Sequence, residues 1–177
     1  MKYILMAIIY IPFLSFCAIT VNNFFVDKKQ NRKISPTSIY TLSALIVIII
    51  SFFSYITNMG YIRLVLSIPL YLYTLIFFCI TWKTSSLAKK SKKLNISIIV
   101  TIVSFLIANI CLPDNAGYGY NYALFNCVND QNITYVLNIV AIDTYILSII
   151  SLIVQTVLFL VVKRNQNAPN SLDKTND

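Results

Sequence analysis

The sequence contains no histidine and no glutamate, and only 11% of its residues are charged. The missing histidine excludes a serine–histidine hydrolase and an ordinary zinc site. The acids are aspartates alone: Asp27, Asp114, Asp130, Asp143, Asp173 and Asp177. Intramembrane aspartyl chemistry needs two acids at one depth, and only Asp143 comes near an apolar run. Three glycines are too few for a phosphate-cradling loop, and none stands in such a pattern. The four cysteines form no C-x-x-C pair, which argues against a quinone-linked thiol oxidase. The chain is therefore expected to be non-catalytic, with no cofactor and no metal.

The scarcity of charge has a second consequence. An average soluble domain carries about a quarter charged residues. This chain of 177 residues is 58% hydrophobic, with a net charge of +8. So little polar surface does not cover a soluble domain of this size. A buried core helix is the ordinary reading of one apolar run, but several runs here reach the ~20 residues that cross a ~30 Å hydrocarbon layer.

Five such runs stand out, at about residues 3–21, 38–57, 64–82, 94–112 and 141–162. Each is too long for a strand, and lipid-exposed backbone must satisfy its own hydrogen bonds, so helices follow. The expected fold is an all-α integral membrane protein, a bundle of about five transmembrane helices over residues 1–164. Pro69 inside the third run is expected to kink it. Residues 165–177 are rich in Asn, Ser, Asp and Pro with little to bury, and read as a disordered tail.

The basic residues sit in short clusters between the runs, so membrane topology explains the net charge better than nucleic acid does. No basic–aromatic interleaving of the kind that holds single strands is present. Lys28, Lys29, Arg32 and Lys33 follow run one; Lys83, Lys89, Lys90, Lys92 and Lys93 follow run three; Lys163, Arg164 and Lys174 follow run five. Alternation over five spans puts all three clusters on one side and leaves only Lys2 and Arg63 on the other. The positive-inside rule then gives an outside N-terminus and a cytoplasmic C-terminus. Cleavage of run one as a signal peptide would invert every loop, and the charge bias argues against it. The Ile, Asn and Lys bias points to an AT-rich genome, and with the topology to a bacterial inner (plasma) membrane.

One segment breaks the apolar pattern: "CLPDNAGYGYNYALFNC", residues 111–127. Cys111 and Cys127 bracket it on the outer, oxidising side, and a disulfide between them is expected. Closing a loop of this length is worth about 3 kcal/mol in the chain-entropy model. Tyr118, Tyr120 and Tyr122 alternate inside it, as in a short strand. They read as an interfacial lid, or as a docking surface for a partner.

Two stripes of small and polar residues mark helix packing. Ser97, Thr101 and Ser104 lie on one face of run four, and Thr144, Ser148, Ser151 and Gln155 on one face of run five. These two runs are consecutive and antiparallel, so the stripes are expected to face each other. Asp143 falls at the outer boundary of run five, as a cap before Thr144, with Arg63 at similar depth as its partner.

Three functional classes follow. The first is a non-catalytic membrane protein that binds another membrane protein, such as an accessory subunit or an immunity protein against a pore-forming toxin. The second is a small transporter or channel component using Asp143 and the polar helix faces. The third is a thiol redox membrane protein. Besides the lipid bilayer, the expected partner is another membrane protein and not nucleic acid.

Overall fold

The structure, a computed structural model, describes residues 35–57, 67–115, 121–125, 127–128 and 130–167, together with residues 18, 21, 22, 25 and 26. Among these it is mostly helical, with one minimal strand pair, one isolated bridge and short turns. Four α-helices follow in chain order: α1 (Pro36–Thr57), α2 (Ser67–Ser85), α3 (Lys92–Cys111) and α4 (Gln131–Asn167). A 3-10 turn, Ala88–Lys90, joins α2 to α3. Strands β1 (Asp114–Asn115) and β2 (Asn121–Tyr122) pair antiparallel, with Asp114 opposite Tyr122.

Among the described residues, three helical segments are apolar enough by length and composition to cross a membrane: Pro36–Tyr55, Lys92–Cys111 and Gln131–Gln166. The third expected span corresponds to α2, which is 19 residues long and diluted by Tyr71, Tyr73, Thr74, Thr81, Trp82 and Lys83; it does not join that set. Most of the first expected span lies outside the described residues. Its far end includes helical Val21, which packs against the core. Pro69 is the third residue of α2 as described, and residues 58–66, which precede the helix, lie outside the described residues.

The last helix differs most from expectation. It begins at Gln131, ten residues before the expected start at 141, and runs on to Asn167. Asp130 caps it, its carboxylate accepting from the Asn132 and Ile133 N–H groups at 2.9 and 3.0 Å. An Asx cap satisfies first-turn donors and fixes the start. Asp143 is therefore not the cap. Asn165, Gln166 and Asn167 continue the helix instead of opening the tail.

Heptad-like spacing explains how α3 and α4 pack. Leu94, Ile98, Thr101, Phe105, Ala108 and Leu112 are buried on α3 and its C-cap, at steps of four and three. On α4, Ala141, Ser148, Leu152, Gln155 and Phe159 are buried, and half-buried Tyr145 completes the same steps. Such a repeat keeps one seam facing its partner along the helix. The two helices run antiparallel, since Ser97 bonds across to Ser151 and Asn109 to Tyr145. α1 lies parallel to α3, with Tyr40 bonded to Asn95 at one end and Ser54 to the Asn109 carbonyl at the other. α2 runs parallel to α4, tied by Tyr73–Ser148 and Thr84–Gln155.

Charge is segregated along this bundle. Among the described residues every cation, Lys83, Lys89, Lys90, Lys92, Lys93, Lys163 and Arg164, lies at or beyond the end where α2 and α4 finish and α3 begins. Every described acid, Asp114, Asp130 and Asp143, lies towards the opposite end. We call these the basic and the acidic end.

Candidate functional site: a polar seam between helices

The two stripes meet. Ser97, Thr101, Ser148 and Ser151 are buried where α3 faces α4. Ser97 Oγ lies 3.1 Å from the Ser151 carbonyl, and Ser151 Oγ 3.1 Å from the Ser97 carbonyl. Thr101 Oγ1 adds a 2.8 Å bond to Ser151 Oγ. Small side chains let the backbones come this close, and the hydroxyls then reach carbonyls of the opposite helix. Ser104 and Thr144 behave differently. Their hydroxyls turn back to their own helices, to the Val100 and Val140 carbonyls at 2.7 and 2.6 Å.

The seam extends beyond these stripes, through residues that composition alone does not single out. The Tyr73 hydroxyl of α2 lies 2.6 Å from Ser148 Oγ. Towards the acidic end, the Tyr145 hydroxyl donates to Asn109 Oδ1 at 2.8 Å, and Asn109 Nδ2 donates to the Phe105 carbonyl at 2.8 Å. Ser54 Oγ of α1 donates to the Asn109 carbonyl at 2.8 Å. Asn109 thus ties three helices together. The usable sequence signal is a lone amide or tyrosine inside an apolar run, at a depth matched by a polar residue on another run.

Phe105 fills the space between these bonds. It is fully buried. Its ring packs 4.5 Å from Phe77 and 5.4 Å from Tyr73 on α2, and 6.5 Å from Tyr145 on α4. The T-shaped contacts to the two tyrosines hold those rings where their hydroxyls reach Ser148 and Asn109.

Towards the basic end the seam is incomplete. Gln155 is fully buried and donates through Nε2 to Thr84 Oγ1 at 2.5 Å. Gln155 Oε1 and Thr81 Oγ1, both buried, have no hydrogen-bond partner among the described residues. A buried polar atom without a partner costs about 1–3 kcal/mol.

Asp143 is exposed on α4. The Asn109–Tyr145 bond sets its level near Cys111, the last residue of α3. α4 continues past this level towards its N-terminus, beside β2. Its expected partner Arg63 lies outside the described residues, as do Tyr118 and Tyr120. Tyr122 lies in β2, so the expected strand exists over Asn121–Tyr122.

The expected Cys111–Cys127 disulfide is not formed: both are free thiols, as is Cys79. The strand register would carry the chain from Tyr122 back alongside Cys111. Instead Leu124 and Phe125 take positive φ of 50° and 57°, and the chain reverses into a separate bridge between Ala123 and Val128. Cys127 lies in that turn, where its thiol approaches the Phe125 carbonyl at 3.8 Å. Among the described residues no group of three His, Cys, Asp or Glu side chains comes together.

No known protein family, curated protein or solved structure matches the chain.

Proposed function

We propose that this is a non-catalytic, multi-pass membrane protein that acts by binding another membrane protein, as an accessory subunit or as an immunity protein against a pore-forming toxin. In this reading about five helices span the bilayer, with the N-terminus outside and the basic end in the cytoplasm of a bacterial cell. The observation that carries it is the use of the polar side chains inside the bundle. Most hold one helix to another or turn back on their own helix, and no described charge lies inside the bundle. What remains for function is the outer surface. α4 presents Ile139, Ile142, Ile146, Ile149 and Ile153 there, at steps of three and four. β-Branched residues at such steps suit a partner helix.

Cysteine labelling tests the orientation. Cys127, which is exposed, is expected to react with a membrane-impermeant maleimide in intact cells. A cysteine introduced at Ser91, at the basic end, is expected to react only after the cytoplasm is opened. Labelling of position 91 in intact cells overturns the topology.

A second reading, a small carrier or channel component, is favoured by the two unpartnered atoms on Thr81 and Gln155 and by Asp143. A flux assay beside a thermal-stability measurement separates the classes. For the binding role, the reconstituted protein passes no more ion or solute than empty vesicles. Asp143→Asn then changes stability by about 0–1 kcal/mol, the range for a solvent-near charge. Flux by the wild-type protein, lost in a stably folded Asp143→Asn variant, overturns the binding role.

A further inference from the structure

At the basic end α1, the 3-10 turn and α3 enclose a cleft of about 420 Å³. Its walls are Pro36, Ile39, Tyr40, Ala88, Lys89, Lys92 and Asn95. Resting on the membrane reading above, we infer that this cleft binds the phosphate headgroup of an anionic membrane lipid.

The chemistry converges from three directions. Lys89 and Lys92 are exposed cations on the wall. Every described acid lies towards the other end of the bundle, so no described carboxylate competes for these ammonium groups. Pro36 and Lys92 are the first residues of α1 and α3. Two helix N-termini therefore border one cleft, and each adds partial positive charge. Tyr40 donates its hydroxyl to Asn95 Oδ1, which leaves the Asn95 Nδ2 group as the donor for a ligand oxygen.

The surroundings fit a lipid better than a soluble phosphate. Ile39, 46% exposed on the lining of the cleft, offers apolar surface to an acyl chain that leaves the headgroup. Trp82, 47% exposed in the last turn of α2 at this same end, suits headgroup depth. The volume falls within the range of about 300–1,000 Å³ typical of ligand clefts. Basic pockets at the cytoplasmic ends of membrane helices bind anionic headgroups for the same electrostatic reason.

The test is lipid retention by the full chain, read by native mass spectrometry. The protein is purified from nanodiscs of phosphatidylcholine alone or mixed with phosphatidylglycerol. Wild type is expected to retain phosphatidylglycerol over phosphatidylcholine. The double variant Lys89→Gln/Lys92→Gln is expected to lose about thirtyfold in that retention, the scale set by removing two charges at an anionic surface. Lys163→Gln/Arg164→Gln removes the same charge at the end of α4, outside the cleft, and is expected to retain lipid as wild type does. Equal losses in the two double variants overturn the site in favour of a diffuse surface potential. Ile39→Trp fills the cleft without changing charge and is expected to lower retention as the lysine pair does; unchanged retention overturns the placement. Inorganic phosphate added in excess is expected not to displace the lipid, and displacement overturns the lipid assignment.

Discussion

Replacing Ser148 with leucine is expected to pull α4 away from α2 and α3. Ser148 is fully buried, and its hydroxyl meets that of Tyr73 at 2.6 Å. Leucine adds bulk at a position where the seam is small and removes the bond. Overpacking a filled core costs about 1–3 kcal/mol, and a hydrogen bond between membrane helices about 0.6–1.7 kcal/mol. The sum of about 2–5 kcal/mol should appear as a marked drop in thermal stability in detergent or bilayer. Ser148→Ala removes only the bond and should cost about 1 kcal/mol or less. Leu147, exposed at the preceding position of α4, supplies the control: Leu147→Val should be near neutral. If Ser148→Leu is as stable as wild type, the seam is not the packing face.

Truncating Phe105 to alanine is expected to have the next largest effect. Its ring touches Tyr73, Phe77 and Tyr145, and so joins three helices. In soluble proteins Phe→Ala costs about 3–5 kcal/mol, part of it transfer of apolar surface out of water. That part shrinks in a membrane, because lipid tails are as apolar as the core. The cavity term remains, at about 24 cal/mol per Å³, so a void of roughly 100 Å³ costs about 2 kcal/mol. A further loss is expected because the two tyrosine rings are no longer held against Ser148 and Asn109. The check is a double-mutant cycle of Phe105→Ala with Tyr145→Phe. Positive coupling is expected; strict additivity would mean that the ring and the Tyr145–Asn109 bond act independently. Ile153→Ala, at a 59% exposed position on α4, should change stability little, since lipid fills the space.

These two residues show where the sequence stops being informative. The stripe containing Ser148 is visible as spacing along one run, because its period is local and small residues are rare in such apolar surroundings. Phe105 is one of 11 phenylalanines, and nothing local distinguishes it from exposed Phe53. Its role follows from neighbours on other helices. The same holds for Tyr73, Thr84 and Asn109. Their partners lie 75, 71 and 36 residues away in the chain, and the register between helices decides which polar groups meet.

The helical class, the separation of basic from acidic segments and the facing stripes of α3 and α4 were determined by the sequence itself. The reason is that hydrophobic length, charge and helical period are properties of neighbouring residues. The early start of α4 depended on whether Asp130 or Asp143 capped the helix, and both are aspartates before apolar runs. Only the folded chain decided for Asp130, because residues 131–142 pack onward as helix beside β2. The two free thiols were likewise decided by tertiary geometry. Sequence spacing permitted the Cys111–Cys127 bond, but Leu124 and Phe125 adopt left-handed backbone, and Cys127 lies as a free thiol in the turn closed by the Ala123–Val128 bridge. The cleft at the basic end exists only because α1 and α3 run parallel and bring Pro36 and Lys92, distant in the chain, to one opening. That juxtaposition is a property of helix packing, and no local pattern of residues encodes it.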